Sequence, residues 1–143
     1  MMRKFAYSTE TDVKPEAIWA VLEDVSAWNT WESGLKSSRL SGEFVSQSIG
    51  ELNPISGPKI AMRLVEVIRS HRFSAELKYL WGKMELIHYL SSRNGKTVIT
   101  RELRIRGFKA PIVAMFLQDH LSDRLSNSLK KLVWVARIRA EKK

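Results

Sequence analysis

Three ionisable residues, Glu66, His88 and Arg101, fall in a row once the hairpins between Ile60 and Ile105 are set in register from their turns. Arg93-Asn94-Gly95-Lys96 carries Asn-Gly, the strongest short hairpin signal. With that pair as the loop, Leu90 faces Ile99, His88 faces Arg101, Leu86 faces Leu103 and Met84 faces Ile105. Taking Trp81-Gly82 as the preceding turn sets Phe73, Ala75, Leu77 and Tyr79 against Leu90, His88, Leu86 and Met84. Taking Ser70-His71 as the turn before it sets Ile68, Glu66, Leu64 and Met62 against the same strand. A one-residue slip would turn a strand inside out, so the agreement of the faces supports the registers. The row Glu66, Ala75, His88, Arg101 then crosses an apolar face, its ends about 14 Å apart at ~4.8 Å per strand.

Buried charge is costly unless paired or hydrated. One reading makes the row a pocket floor for the polar head of an apolar ligand, with Arg101 binding an oxyanion and His88 moving a proton. The other makes it an internal Glu–His–Arg network with water, or a row lifted to the rim by sheet curvature. Trp28 and Trp31, three apart, share a helix face and either cap a cavity mouth or pack as core. Met62 and Met84 are adaptable liners if a cavity exists. Trp134 lies off the apolar stripe of its helix and marks a contact surface if exposed.

Other chemistries lack their signatures. His71, His88 and His120 have no ligand spacing and there is no cysteine, so no metal site is expected. The sequence contains no nucleophile elbow and no phosphate-cradling glycine loop, and no cofactor is expected.

The last fifth of the chain must position this face. From Pro111 onward no Gly or Pro interrupts a helix, and Leu117, Leu121, Leu125, Leu129, Leu132, Val133 and Ala136 recur at spacings of three and four. A helix from Pro111 to Arg139 is about 43 Å long. It needs a broad apolar surface, and the upstream chain reads as sheet. Residues 3–13 alternate as a strand, Pro15 opens a short helix, and a second short helical segment carries Trp28 and Trp31. Two weak strands lie between Leu35 and Leu52, and Asn53–Pro58 reads as a loop. The fold class is α+β, one sheet gripping one helix, with residues 1–143 as a single domain.

The run VLEDVSAWNTWESGLKSSRLSGEFVSQSIGELNP from Val21, then Gly57-Pro58, Glu66-Val67 and the close Gly107…Leu132, resembles the polyketide cyclase/dehydrase and lipid-transport group. The most specific piece is Trp19-x-x-Leu22-x-Asp24-x-x-x-Trp28-x-x-Trp31, followed by Gly42 and Gly50. That group belongs to the START-like, Bet v 1-like (SRPBCC) superfamily. The resemblance implies a helix-grip fold: a curved seven-stranded antiparallel sheet, strand order 1-7-6-5-4-3-2, around the C-terminal helix with a cavity between them. It implies no single activity. The first reading is binding or transport of a small hydrophobic ligand, lipid-like or aromatic. The registers, the Trp pair and the helix stripe place Glu66, His88, Arg101, Trp28, Trp31, Tyr79, Met62, Met84, Leu121 and Leu125 toward it. The alternative is a cyclase or dehydratase using His88 or Glu66 as acid or base.

The net charge is +9, from 24 Lys plus Arg against 15 Asp plus Glu. The bases are scattered, which reads as a solvated face rather than a specific nucleic-acid site. The first residues turn polar at once and no run reaches the ~18 apolar residues of a span, so a cytoplasmic protein without membrane insertion is expected. The sequence assigns no oligomeric state.

Overall fold

The computed structural model describes the backbone of residues 2–80, 82–107 and 110–142, and the side chains of 3–80, 82–107 and 123–142. The chain runs β1 (Met2–Thr11), α1 (Pro15–Leu22), a 3-10 helix (Val25–Thr30), β2 (Leu35–Ser41), β3 (Ile49–Pro54), β4 (Ile60–Ile68), β5 (Arg72–Tyr79), β6 (Gly82–Arg93), β7 (Lys96–Arg106) and α2 (Ala110–Glu141). The strands form one antiparallel sheet in the order β1-β7-β6-β5-β4-β3-β2, as the resemblance implies.

Each element follows from local chemistry. Pro15 stands at the first turn of α1, where its missing N–H costs nothing. Asn94 and Gly95 both take positive φ, the backbone that matches the twist of the flanking strands, and β6 pairs with β7 in the expected register throughout. The buried face of α2 carries Leu125, Leu129, Leu132 and Ala136 as its periodicity demands. The side chains of Leu117 and Leu121 lie outside the described residues.

Two other hairpins depart from expectation. Between β5 and β6, Tyr79 pairs with Gly82, so Gly82 belongs to the strand and not to the turn expected at Trp81-Gly82. The register moves by two residues, which changes partners but keeps faces: His88 sits opposite Phe73 instead of Ala75. Between β4 and β5 the loop has three residues, with Ile68 opposite Arg72. That extra residue inverts the face of Glu66–Ile68, and a bulge at Val65 inverts it back for Ala61–Leu64. The bulge is held from outside: Ser46 Oγ donates to the Val65 carbonyl (2.7 Å), and Gln47 N donates to the Leu64 carbonyl (2.7 Å).

The core fills the concave side of the sheet. Ile18, Trp19, Leu22, Trp28, Trp31, Met62, Leu64, Phe73, Ile99, Leu129 and Leu132 form the larger cluster. Leu86, Leu103 and Leu125 form a smaller one, joined to it through Tyr7 and Met84. Among the described residues, no helix is long and apolar enough to cross a membrane.

Candidate functional site

Glu66 does not belong to the interior row. The long β4–β5 turn sends it to the convex side, where it pairs with Arg72 (2.7 Å) at 49% side-chain exposure. The row that crosses the concave face is instead Tyr7, Arg101, His88, Phe73 and Val67, each directly opposite the next on five neighbouring strands.

The carboxylate that serves Arg101 comes from Glu32, just after the 3-10 helix. Backbone bonds from Trp31 N and Glu32 N to the Trp28 carbonyl (3.2 and 2.8 Å) close the turn that aims it. Trp28 is fixed in turn by its indole N–H on the Leu22 carbonyl (2.8 Å), and Ser38 Oγ ties the Val25 carbonyl to β2 (2.6 Å). Glu32 Oε2 receives the Arg101 guanidinium, and Glu32 Oε1 accepts from Ser128 Oγ of α2 (2.8 Å). One carboxylate thus joins loop, sheet and helix.

His88 is fully buried between two rings. It stacks on Phe73 (4.8 Å, 18° between planes) and meets the edge of Trp31 (6.0 Å, 89°). Burial, and secondarily the Arg101 charge, hold the imidazole well below its ordinary pKa, so it is neutral. Neither ring nitrogen has a hydrogen-bond partner among the described residues, and the same holds for Trp31 Nε1 and Arg101 Nε. The Arg101 guanidinium carbon also lies 5.9 Å from the Trp31 ring centroid, in cation–π reach. Four unpartnered polar atoms on three neighbouring side chains are unusual, because such groups are nearly always satisfied.

The other expected site residues divide. Trp28, Trp31, Met62 and Leu125 are buried, and Trp28 and Trp31 contact each other (6.0 Å) within the core, closer to a wall than to an exposed cap. Met84 and Tyr79 are half-buried. Burial raises the Tyr79 phenol pKa, with Arg124 opposing and Glu32 adding to the shift, so this hydroxyl lies within the field of both charges. Leu121 lies outside the described side chains. Sequence reasoning missed Glu32, Ser128, Tyr7 and Ser126, the last donating to Tyr7 OH (3.1 Å). Trp134 is exposed, as its position off the stripe indicates. Among the described residues, no group of three or more His, Cys, Asp or Glu is placed to hold a metal ion.

Chemically, Arg101 and Glu32 cancel and His88 carries no charge, while Arg124 adds a cation toward Tyr79 among the described residues. An anionic head at Arg101 would have to displace Glu32 or share its cation with it. The unmet atoms suit an uncharged oxygen instead, since Trp31 Nε1, Arg101 Nε and one imidazole N–H donate while the other imidazole nitrogen accepts.

The fold has solved counterparts. Ara h 8.0201 superposes with a TM-score of 0.74 at 10% identity, over 95% of this chain and 98% of that one. The di-domain ARO/CYC StfQ from the steffimycin biosynthetic pathway superposes with a TM-score of 0.78 at 10% identity, over 99% of this chain and 52% of that one. This chain therefore spans about half of the StfQ chain. No curated protein matches the sequence. The family described as polyketide cyclase / dehydrase and lipid transport matches over residues 2–137. With the helix-grip topology on the same residues, the chain belongs to that family, within the START-like, Bet v 1-like superfamily.

Proposed function

We propose that the protein binds a small hydrophobic molecule, lipid-like or aromatic, between the concave face of the sheet and α2, and that the molecule carries a neutral hydroxyl or carbonyl. The observation that carries this reading is His88, wholly buried and neutral, with both ring nitrogens lacking a partner among the described residues. A buried polar atom left unmet costs about 1–3 kcal/mol, so an interior that keeps four of them is shaped for something that satisfies them. Met62, Met84, Leu86, Leu103 and Leu125 supply apolar surface around the row, and the family's own description includes lipid transport.

A cyclase or dehydratase reading draws on the same imidazole. A neutral His88 nitrogen is a competent base at an enolisable carbon, provided substrate reaches it. Glu66 no longer shares that role, because it faces outward. The two readings part on whether the bound molecule leaves unchanged.

Native mass spectrometry of the gently purified protein tests the proposal. The expected spectrum holds a non-covalent adduct that organic extraction releases as an uncharged, largely apolar alcohol, phenol or ketone. A protein that carries nothing, and that takes up no member of a panel of such compounds, contradicts it.

A further inference from the structure

Leu80 and Ile55 are the most exposed large apolar side chains among the described residues, at 96% and 68%. They stand on two different loops, β5–β6 and β3–β4, at one end of the sheet. Between these loops lies a groove of about 720 Å³ lined by Pro54, Ser56, Pro58, Lys59, Ile60, Lys78, Tyr79 and Leu80. The β3–β4 loop is not loosely held: Ile55 N donates to the Gly34 carbonyl (3.0 Å), and Pro54 and Pro58 restrict the backbone on either side. Its exposed isoleucine is therefore presented, not merely unpacked.

The charges beside these tips are basic. Glu51 is shared between Arg39 (3.2 Å) and Lys59 (3.5 Å), and Lys78 has no ion pair among the described residues. The chain as a whole carries +9.

We propose that Ile55 and Leu80, with Lys59 and Lys78 beside them, form a docking surface for an anionic lipid bilayer. Protein interfaces centre on packed, aromatic-rich patches from which lysine is depleted. Here, among the described residues, the most exposed apolar tips are single aliphatic side chains on separate loops with lysines beside them, and Tyr79, half-buried, is the one aromatic in the groove lining. That arrangement lets Ile55 and Leu80 enter the acyl boundary while the stems of Lys59 and Lys78 carry their ammonium groups to lipid phosphates. Tyr79 joins this surface to the interior, since it lines the groove while its phenol feels Glu32 and Arg124. The docking surface nevertheless rests on its own observations and does not require the interior ligand.

The test is co-sedimentation of the full chain with vesicles of phosphatidylcholine alone, or with about 30 mol % phosphatidylglycerol. The protein is expected to bind the mixed vesicles and to release them as salt shortens the Debye length to about 3 Å near 1 M. Leu80→Ser and Ile55→Ser should each lower the partition constant about tenfold, and Lys59→Gln and Lys78→Gln about fivefold each. The pair Lys130→Gln and Lys131→Gln, exposed on α2, should change it less than about twofold if the docking face is at the loops. All these positions are exposed, so circular dichroism should report an intact fold for every variant. Three results overturn the proposal. They are no binding to mixed vesicles, binding undiminished in the Leu80→Ser/Ile55→Ser double variant, or Leu80-dependent self-association by ultracentrifugation without vesicle binding. The last would assign the surface to a second copy of the chain.

Discussion

Arg101 and His88 lie directly opposite each other on β7 and β6, yet the guanidinium is paired with Glu32 and the imidazole with nothing described. The two positions have different energetic roles. The Glu32–Arg101 pair is an anchor between loop, sheet and helix, whereas His88 is a polar group held at a cost.

The anchor gives the first prediction. Glu32→Gln leaves a buried guanidinium without its counter-charge and should lower the unfolding free energy by about 3 kcal/mol, the lower end for a broken buried pair because Glu32 is partly exposed. Arg101→Met made in the Glu32→Gln background should recover much of that loss, since the double variant holds no unpaired charge. Urea denaturation of the four proteins yields the coupling energy. Additive losses would show that the two side chains do not depend on each other.

His88 makes stability depend on pH. Its folded-state pKa is depressed by burial and then by Arg101, with Glu32 the acid paired to that arginine. Above the ordinary histidine pKa of about 6.5 both folded and unfolded chains hold it neutral, and its contribution is flat. Below that value the unfolded chain takes up a proton that the folded chain refuses, so stability falls as pH falls, by up to ~1.4 kcal/mol per pH unit. The fall continues until pH reaches the depressed folded value. His88→Leu should remove this part of the slope between about pH 6.5 and 5. A variant with the wild-type slope there would place the titration on another group.

Glycines at two turns separate backbone demand from space. Gly82 has φ of 153°, and a Cβ there would lie 2.2 Å from the Arg106 carbonyl oxygen, so Gly82→Ala should cost about 3 kcal/mol or more. Gly95 also has positive φ, 78°, but a Cβ would meet nothing within 4 Å, so Gly95→Ala should cost only about 1 kcal/mol. Equal losses in thermal denaturation would mean that the close approach of β7 to Gly82 relaxes freely.

The convex position of Glu66 has a plain consequence. Glu66→Ala removes an exposed ion pair with Arg72 and should change stability by less than about 1 kcal/mol. It should leave any interior ligand affinity unchanged. A tenfold loss of affinity would restore Glu66 to the site.

The contrast between Glu66 and His88 shows where sequence was legible. The β6–β7 register could be read because Asn-Gly admits one tight turn geometry, and that alone brought His88 opposite Arg101. The β4–β5 turn carries no such signal: its third residue depends on Ser70 taking a positive φ of 61°, and the Val65 bulge depends on Ser46 and Gln47, distant in sequence. Both are tertiary effects on a backbone whose side-chain pattern fits either register. Glu32 was missed for a related reason. It sits past the end of a 3-10 helix, where no periodicity assigns a face, and only the turn on the Trp28 carbonyl aims it inward. The α2 stripe was legible because it rests on a pattern repeated over many residues, whereas the strand order was available only through the family resemblance.

The central claim, that the interior keeps His88 unpartnered for an uncharged oxygen of a ligand, is tested most directly on one substitution with two readouts. Leucine is close to histidine in volume and has no polar atoms, so His88→Leu should raise the unfolding free energy by about 1–2 kcal/mol by removing unmet groups. In isothermal titration the same variant should lose about tenfold in affinity for 2-naphthol, a neutral phenol, at one hydrogen bond's worth of binding. Wild-type protein should bind 2-naphthol more tightly than naphthalene-2-carboxylate, because Glu32 already neutralises Arg101. A His88→Leu protein that is less stable and binds 2-naphthol as well as wild type would contradict the account.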